Sequence, residues 1–256
     1  MSIEEKRVYD EKRGATAVFV ATGTGLARVE VSDDLVGRFG LVERCAARDV
    51  AAVGDGVAVA TDEDVLVGRE TLSETGFGPV TAVGVADGDL VAAGERGVAR
   101  RRDGTWETVG DLPNVRAVDG DLLAAAGGVY RLRGLSHAGL DDARDVTAAG
   151  VPLAATADGL YRLGNGWMDE LDGAFRTVAS DGRRAHAATA DALYARAPGE
   201  TDWTPGEVPA DGTVVDVGYG ERVYAVTGDG TFLVAAEDGW RTRSLGLPEV
   251  AALAVV

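Results

Sequence analysis

The chain has 256 residues, 46% of them hydrophobic and 26% charged, enough for one large all-β domain or two small ones with a real core. Its formal net charge is -17, with lysine only at Lys6 and Lys12 and arginine supplying the other basic groups, which argues against a broad phosphate-binding surface because counterion release needs clustered basic residues. No run reaches the ~18 apolar residues of a membrane helix, and the single Cys45 leaves no internal disulfide to staple the fold.

The first stretch, MSIEEKRVYDEKRG, is charged and lacks the apolar segment and small-residue cleavage site of a secretory signal. Residues 1–14 read as a tail, or as a strand added on the rim through residues 7–9, ahead of a single domain over 15–256. A lone cysteine without a signal fits a cytoplasmic, reducing location. An acidic, lysine-poor surface is expected of a salt-adapted, halophilic protein, because at molar salt the Debye length falls to ~3 Å and crowded carboxylates barely repel.

From residue 18 onward one pattern returns. Two short apolar runs flank a turn rich in Thr, Gly and Asp, the signature of a β-hairpin. It reads VFVATGTGLAR (18–28), VAVATDEDVLV (57–67), LVAAGERGVAR (90–100), LLAAAGGVYR (122–131), LAATADGLYR (153–162), AHAATADALYA (185–195) and VYAVTGDGTFL (223–233). A further short strand stands before each hairpin after the first: DVAAV (49–53), PVTAV (79–83), NVRAV (114–118), DVTAA (145–149), FRTVA (175–179) and TVVDV (213–217). One more, EVAAL (249–253), ends the chain. Aligning Val50, Val80, Val115, Val146, Phe175, Val214 and Val250 gives a repeat of about 33 residues. A fourth strand follows a polar turn at Trp106, Trp167, Trp203 and Trp240, placing all four tryptophans on the outer edge of a unit, where each would pack on its neighbour.

Four short strands per repeat of ~30 to 40 residues describe the blade of a β-propeller. The predicted fold is therefore all-β: a seven-bladed β-propeller with four-stranded antiparallel blades. Small residues fill the inner strands where blades converge, and larger ones come where the wedge widens. PEVAALAVV (248–256) is a first strand with no hairpin after it, and residues 15–31 are a hairpin with no first strand before it. Together they complete one blade, with 249–255 innermost and 16–22, 25–31 and 38–43 outside, so that the C-terminal strand pairs with the N-terminal hairpin and removes the open edges.

The stretches RRDGTWETV (101–109), GNGWMDEL (164–171) and EDGWRTRSL (237–245) resemble a degenerate Asp-box of the sialidase-like propellers, without its Ser and its spacing. Together with LVERCAARDVAAV (41–53), the whole acidic chain resembles a group of β-propeller proteins of halophilic archaea. That resemblance implies the fold and no activity.

Propeller ligands bind at the mouth of the central channel, where one blade loops to the first strand of the next. The candidate ligand-binding residues there are Arg48, Asp49, Asn114, Arg116, Arg144, Asp145, Arg176 and Glu249. Converging arginines hold a carboxylate or phosphate bidentately; the competing reading has each arginine pair with a neighbouring Asp. Cys45, between Arg44 and Arg48, is a candidate reactive thiol because nearby positive charge lowers a thiol pKa. No histidine base is near it in sequence, so no catalytic residue is assigned. His186 stands where other copies carry Phe19, Ala58, Leu153 and Tyr224 and reads as a core residue. Two histidines and one cysteine do not make a zinc site of the usual composition. The runs Asp62-Glu63-Asp64 and Asp141-Asp142-Ala143-Arg144-Asp145 carry oxygen ligands suited to a hard cation such as calcium but lack the spacing of an EF-hand loop and read as solvated loops, so no metal is expected. GTGLAR (23–28) opens a strand rather than a helix, so no nucleotide cofactor is expected either.

The expected function is a monomeric, non-enzymatic interaction platform for a protein partner or a small anionic ligand, without nucleic-acid or membrane binding. Its contact loops would be 44–49, 73–79, 110–114, 139–145, 207–212 and 246–249, with Phe77, Pro79, Leu112 and Pro113 as apolar contacts. The alternative is a hydrolase or lyase acting on an anionic, sialidase-like substrate. The four arginines would grip that substrate, and Asp49, Asp145 and Glu249 would supply acid and base.

Overall fold

The computed structural model describes residues 15–256; the readings of 1–14 lie outside the described residues. The recurring hairpin owes its turn to a buried threonine. Thr22 Oγ1 accepts from the Gly25 amide at 3.1 Å and donates to the Gly25 carbonyl at 2.8 Å. Thr61 does the same with Asp64, at 3.0 and 2.7 Å, and Thr156 with Gly159, at 3.0 and 3.1 Å. One hydroxyl satisfying both backbone groups three residues on closes the turn locally and fixes the register of the two strands.

These hairpins build seven four-stranded antiparallel sheets. Six take four consecutive strands each. Blade 1 joins the chain ends: Val250–Val255 is innermost, followed outward by Thr16–Thr22, Gly25–Ser32 and Leu35–Glu43, the last starting three residues earlier than the sequence suggested. Val20 faces Leu253 across that closure. The innermost strands of blades 2 to 7 are Ala47–Val53, Val80–Ala86, Val115–Asp119, Ala143–Thr147, Thr177–Ser180 and Val214–Tyr219. Neighbouring innermost strands touch in cyclic order around the axis, and blade 1 meets blade 2 to complete the ring.

Each sheet is sandwiched between two others, so second strands are buried on both faces. Gly56–Thr61, Leu122–Ala125, Leu153–Thr156 and Val223–Thr227 are buried throughout. That explains their almost wholly apolar sequences, in which Ala and Val are the commonest residues. Phe19, Phe175, Tyr224 and Phe232 fill the larger gaps between sheets, each stabilising by about 1.5–3 kcal/mol through burial. The tryptophans reach back towards the preceding blade. Trp106 lies 4.8 Å from Phe77, Trp167 Nε1 donates to Ala138 O at 2.9 Å, and Trp203 Nε1 donates to Glu170 at 2.9 Å. Phe77 and Leu112, expected as exposed contacts, are buried in this packing.

The innermost strands also correct the alignment of the repeats. In blades 2, 3, 4, 5 and 7 an extra residue bulges out after the first paired one: Ala47/Asp49, Val80/Ala82, Val115/Ala117, Ala143/Asp145 and Val214/Asp216. Blade 1 has the same irregularity opposite Ala21 and Thr22. The true equivalents of Val80, Val115, Phe175, Val214 and Val250 are therefore Ala47 and Ala143, not Val50 and Val146. Valine is the commoner residue there, so the eye settles on it and slips by three.

Candidate functional site

The bulge decides which side chains reach the channel. At the bulged position stand Arg48, Thr81, Arg116, Arg144 and Val215, and Arg176 takes the same place in blade 6. All four arginines proposed from sequence thus occupy one structural position, on the mouth side of the innermost strands. Just before it the backbone is left-handed at Asn114 (φ 56°), Asp142 (φ 44°) and Glu249 (φ 53°). Asn and Asp tolerate this conformation better than most residues. Asn114 and Glu249 are exposed on this rim.

The arginines do not share one pocket. Arg116 Nη1 donates to Asp142 at 2.6 Å and to Ala143 O at 3.0 Å, and Arg144 Nη1 donates to Phe175 O at 3.2 Å. Each caps the first backbone carbonyl of the next blade, as Thr81 Oγ1 does with Val115 O at 3.0 Å. Arg48 and Arg176 are exposed, and their side chains form no ion pair or hydrogen bond among the described residues.

Asp49 and Asp145 lie past the bulge, inside the channel rather than at its rim. The three-residue slip in the alignment is the reason for this difference. Their carboxylates act as straps between blades. Asp49 accepts from its own Val50 amide at 2.8 Å and, across the junction, from Val83 N at 2.8 Å. Asp145 accepts from Val146 N, Val178 N and Thr177 Oγ1, all at 2.8 Å. Asp216 repeats the device between blades 7 and 1, accepting from Val217 N and Leu253 N at 2.7 Å. Asp119 straps blade 4 to blade 5 through Ala148 N at 2.8 Å and Thr147 Oγ1 at 3.0 Å.

These four carboxylates line a channel cavity of about 270 Å³, and none of the four arginines lines it. Burial pushes the Asp49 carboxyl up to about 7 and Asp145 up to about 6, and raises Asp216 well above the ordinary range; backbone amides pull the other way. The charges that raise them further are one another's and that of Asp119. Sequence reading missed Asp216 and Asp119. The Asp-Val pair at 216–217, a copy of 49–50 and 145–146, was the available signal for Asp216.

Two other readings change in the structure. The Cys45 thiol is held above its ordinary pKa by burial and by Glu43, the opposite of activation by arginine. Asp64 is not solvated: it is buried and accepts from the amides of Val65, Gly76, Phe77 and Gly78 at 2.7–3.0 Å. Against the cost of burial, those donors hold its pKa below the usual value. Among the described residues, no group of three or more His, Cys, Asp or Glu side chains is placed to hold a metal ion.

Seven four-stranded sheets around a strapped axial channel, closed through the terminal strands, define a seven-bladed β-propeller. The family described as "Beta-prop_HVO_0234:-like, beta propeller" matches residues 2–256, and the chain belongs to it. No curated protein matches by sequence. Solved structures share the fold. The Doa1 WD40 β-propeller domain is similar at 14% identity with TM-score 0.64, covering 81% of this chain and 85% of that one. A chain of a nidogen/laminin complex is similar at 8% identity with TM-score 0.61, covering 94% and 98%. YCF48 bound to a D1 peptide is similar at 13% identity with TM-score 0.58, covering 77% and 81%.

Proposed function

We propose that this propeller is a non-catalytic binding platform that takes an acidic protein segment or small anion on the arginine-rimmed mouth of its channel. One observation carries this reading. The bulged position supplies an arginine in four of the seven blades, and two of these, Arg48 and Arg176, are exposed and uncommitted among the described residues. An anion arriving there meets donors that are not already neutralised. The surrounding acidity, 42 Asp and Glu against 25 Lys and Arg, fits a salt-rich cytoplasm in which only short-range, directed contacts survive screening.

The hydrolase or lyase reading has less support. Asp49 and Asp145 spend their oxygens on backbone amides of two blades, and Arg116 and Arg144 are tied to neighbours. Glu249 alone stands exposed at the rim. The test is capture from native lysate at molar salt with the wild type and an Arg48→Gln/Arg176→Gln double variant, folding being verified by circular dichroism. A discrete partner held by the wild type and lost by the variant supports the platform. Equal capture by both, or none by either, overturns it.

A further inference from the structure

The register of the blades exposes one place where the repeat is broken twice. On the second strand, the equivalents of His186 are Phe19, Ala58, Val91, Leu122, Leu153 and Tyr224, all apolar. Their partners on the third strand are Arg28, Val67, Arg100, Arg131, Arg162 and Val234, whereas His186 faces Ala195. Blade 6 therefore puts an imidazole where its sisters put hydrocarbon, opposite an alanine rather than the arginine of four sisters or the valine of two. Beside it lies a cavity of about 540 Å³ lined by blade 6 and by Val223 of blade 7, separate from the channel cavity but adjoining it through Tyr219.

Its chemistry is directional. Tyr219 Oη donates to Ala179 O at 3.1 Å, so it has no proton left for His186 Nδ1 at 2.8 Å. His186 must supply that proton itself, which leaves Nε2 as a bare acceptor. Burial first, and then Arg184, lower the His186 pKa to about 4, while Asp181 opposes them. The ring is thus neutral at ordinary pH, lines the cavity, and has its second nitrogen free of any partner among the described residues.

The cavity lining holds two cations, two anions and a small apolar wall, and each cation is also paired with a carboxylate outside the lining. Arg184 stacks on Tyr219 at 5.2 Å and pairs with Asp181 at 2.8 Å. Arg196 stacks on Trp203 at 4.9 Å and reaches Glu170 only at 3.4 Å, although its side chain is just 15% exposed. Both planes are held in place, with donors to spare. Glu200 and Asp202 supply the anions, and Ala195, Ala197, Pro198 and Val223 the wall.

We infer that this cavity is a binding site for a free aliphatic α-amino acid. Its carboxylate would lie on Arg184 and Arg196, its ammonium on Glu200, Asp202 and His186 Nε2, and its side chain on the alanines and Val223. The lining offers both guanidinium donors and carboxylate acceptors, and a zwitterion engages both kinds, where a simple anion or a simple cation engages one. The site is independent of the channel mouth and stands or falls without it.

The chain's two histidines, His137 and His186, make the test direct. L-leucine is titrated into the wild type while the imidazole 15N resonances are followed, with 4-methylpentanoate and isopentylamine as probes lacking the ammonium or the carboxylate. Expected is a saturable shift of His186 Nε2 by leucine, with both half-ligands at least about tenfold weaker and Arg196→Gln reducing leucine affinity by a similar factor. No shift at His186, or equal binding of leucine and either half-ligand, overturns the proposal. Tyr219→Phe adds a second readout: if the tyrosine only packs, leucine affinity is unchanged, whereas release of the tautomer weakens it and mixes the two nitrogen signals.

Discussion

Asp64→Ala tests whether a single carboxylate organises the loop between blades 2 and 3. Four backbone amides and Thr75 Oγ1 converge on Asp64. Two of those amides, on Val65 and Phe77, belong to buried residues, while Gly76 is exposed and its amide regains water in the variant. Counting only the buried pair, at ~1–2 kcal/mol for each donor left unsatisfied, the loss is about 2–4 kcal/mol. In a chain of this size that corresponds to a fall in Tm of about 5–15 °C. Thermal unfolding followed by circular dichroism, with calorimetry as a second probe, measures it. The pH dependence has a definite sign. The folded pKa of Asp64 lies below 3.8, so its contribution is complete above that pH and disappears as the pH falls through the folded value. The gap between wild type and variant must therefore close in acid. Asp64→Asn, which keeps the size but presents an NH2 to a set of donors, should be nearly as damaging. A loss under ~0.5 kcal/mol, the range of ordinary surface changes, would refute the argument.

The channel carboxylates have the opposite sign. The folded pKa values of Asp49 and Asp145 are raised to about 7 and about 6, so stability falls as the pH rises from 3.8 through that window, and Asp49→Asn or Asp145→Asn should flatten the curve measured by denaturant titration. Trp167→Phe removes the donor to Ala138 O and should cost about 1 kcal/mol in the same assay. A chain ending at Leu247 lacks the innermost strand of blade 1, and should elute as soluble aggregate on size exclusion and lose its cooperative thermal transition, since Thr16–Thr22 is left with an open edge.

The architecture was legible because its determinants are local. Short Val- and Ala-rich runs around a tight turn, closed at Thr22, Thr61 and Thr156 by a hydroxyl that bonds three residues ahead, specify a hairpin without help from elsewhere, and seven repetitions of the hairpin leave few alternatives. The closure was legible for the same reason: EVAAL had no hairpin and VFVAT had no first strand. What sequence could not give was the bulge. One extra residue in an innermost strand shifts which side chain faces the axis, and it leaves no mark on the hydrophobic pattern. Arg48 and Asp49 therefore looked like companions, although one lies at the rim and the other inside. Asp64 was obscure for a different reason: its partners, Gly76, Phe77 and Gly78, lie more than ten residues away. His186 showed its buried position but not its bond to Tyr219, which belongs to the next blade.

Blade 1 is assembled from strands far apart in sequence, with Val18 facing Val255 across more than two hundred residues of chain. During synthesis the other six sheets can each be completed from contiguous sequence as it leaves the ribosome, whereas Thr16–Glu43 must wait with a bare inner border until Val250–Val255 arrives. Closure of blade 1 is therefore the slow, length-dependent step, and the interval before it is when the nascent protein is most exposed to mispairing with a neighbour.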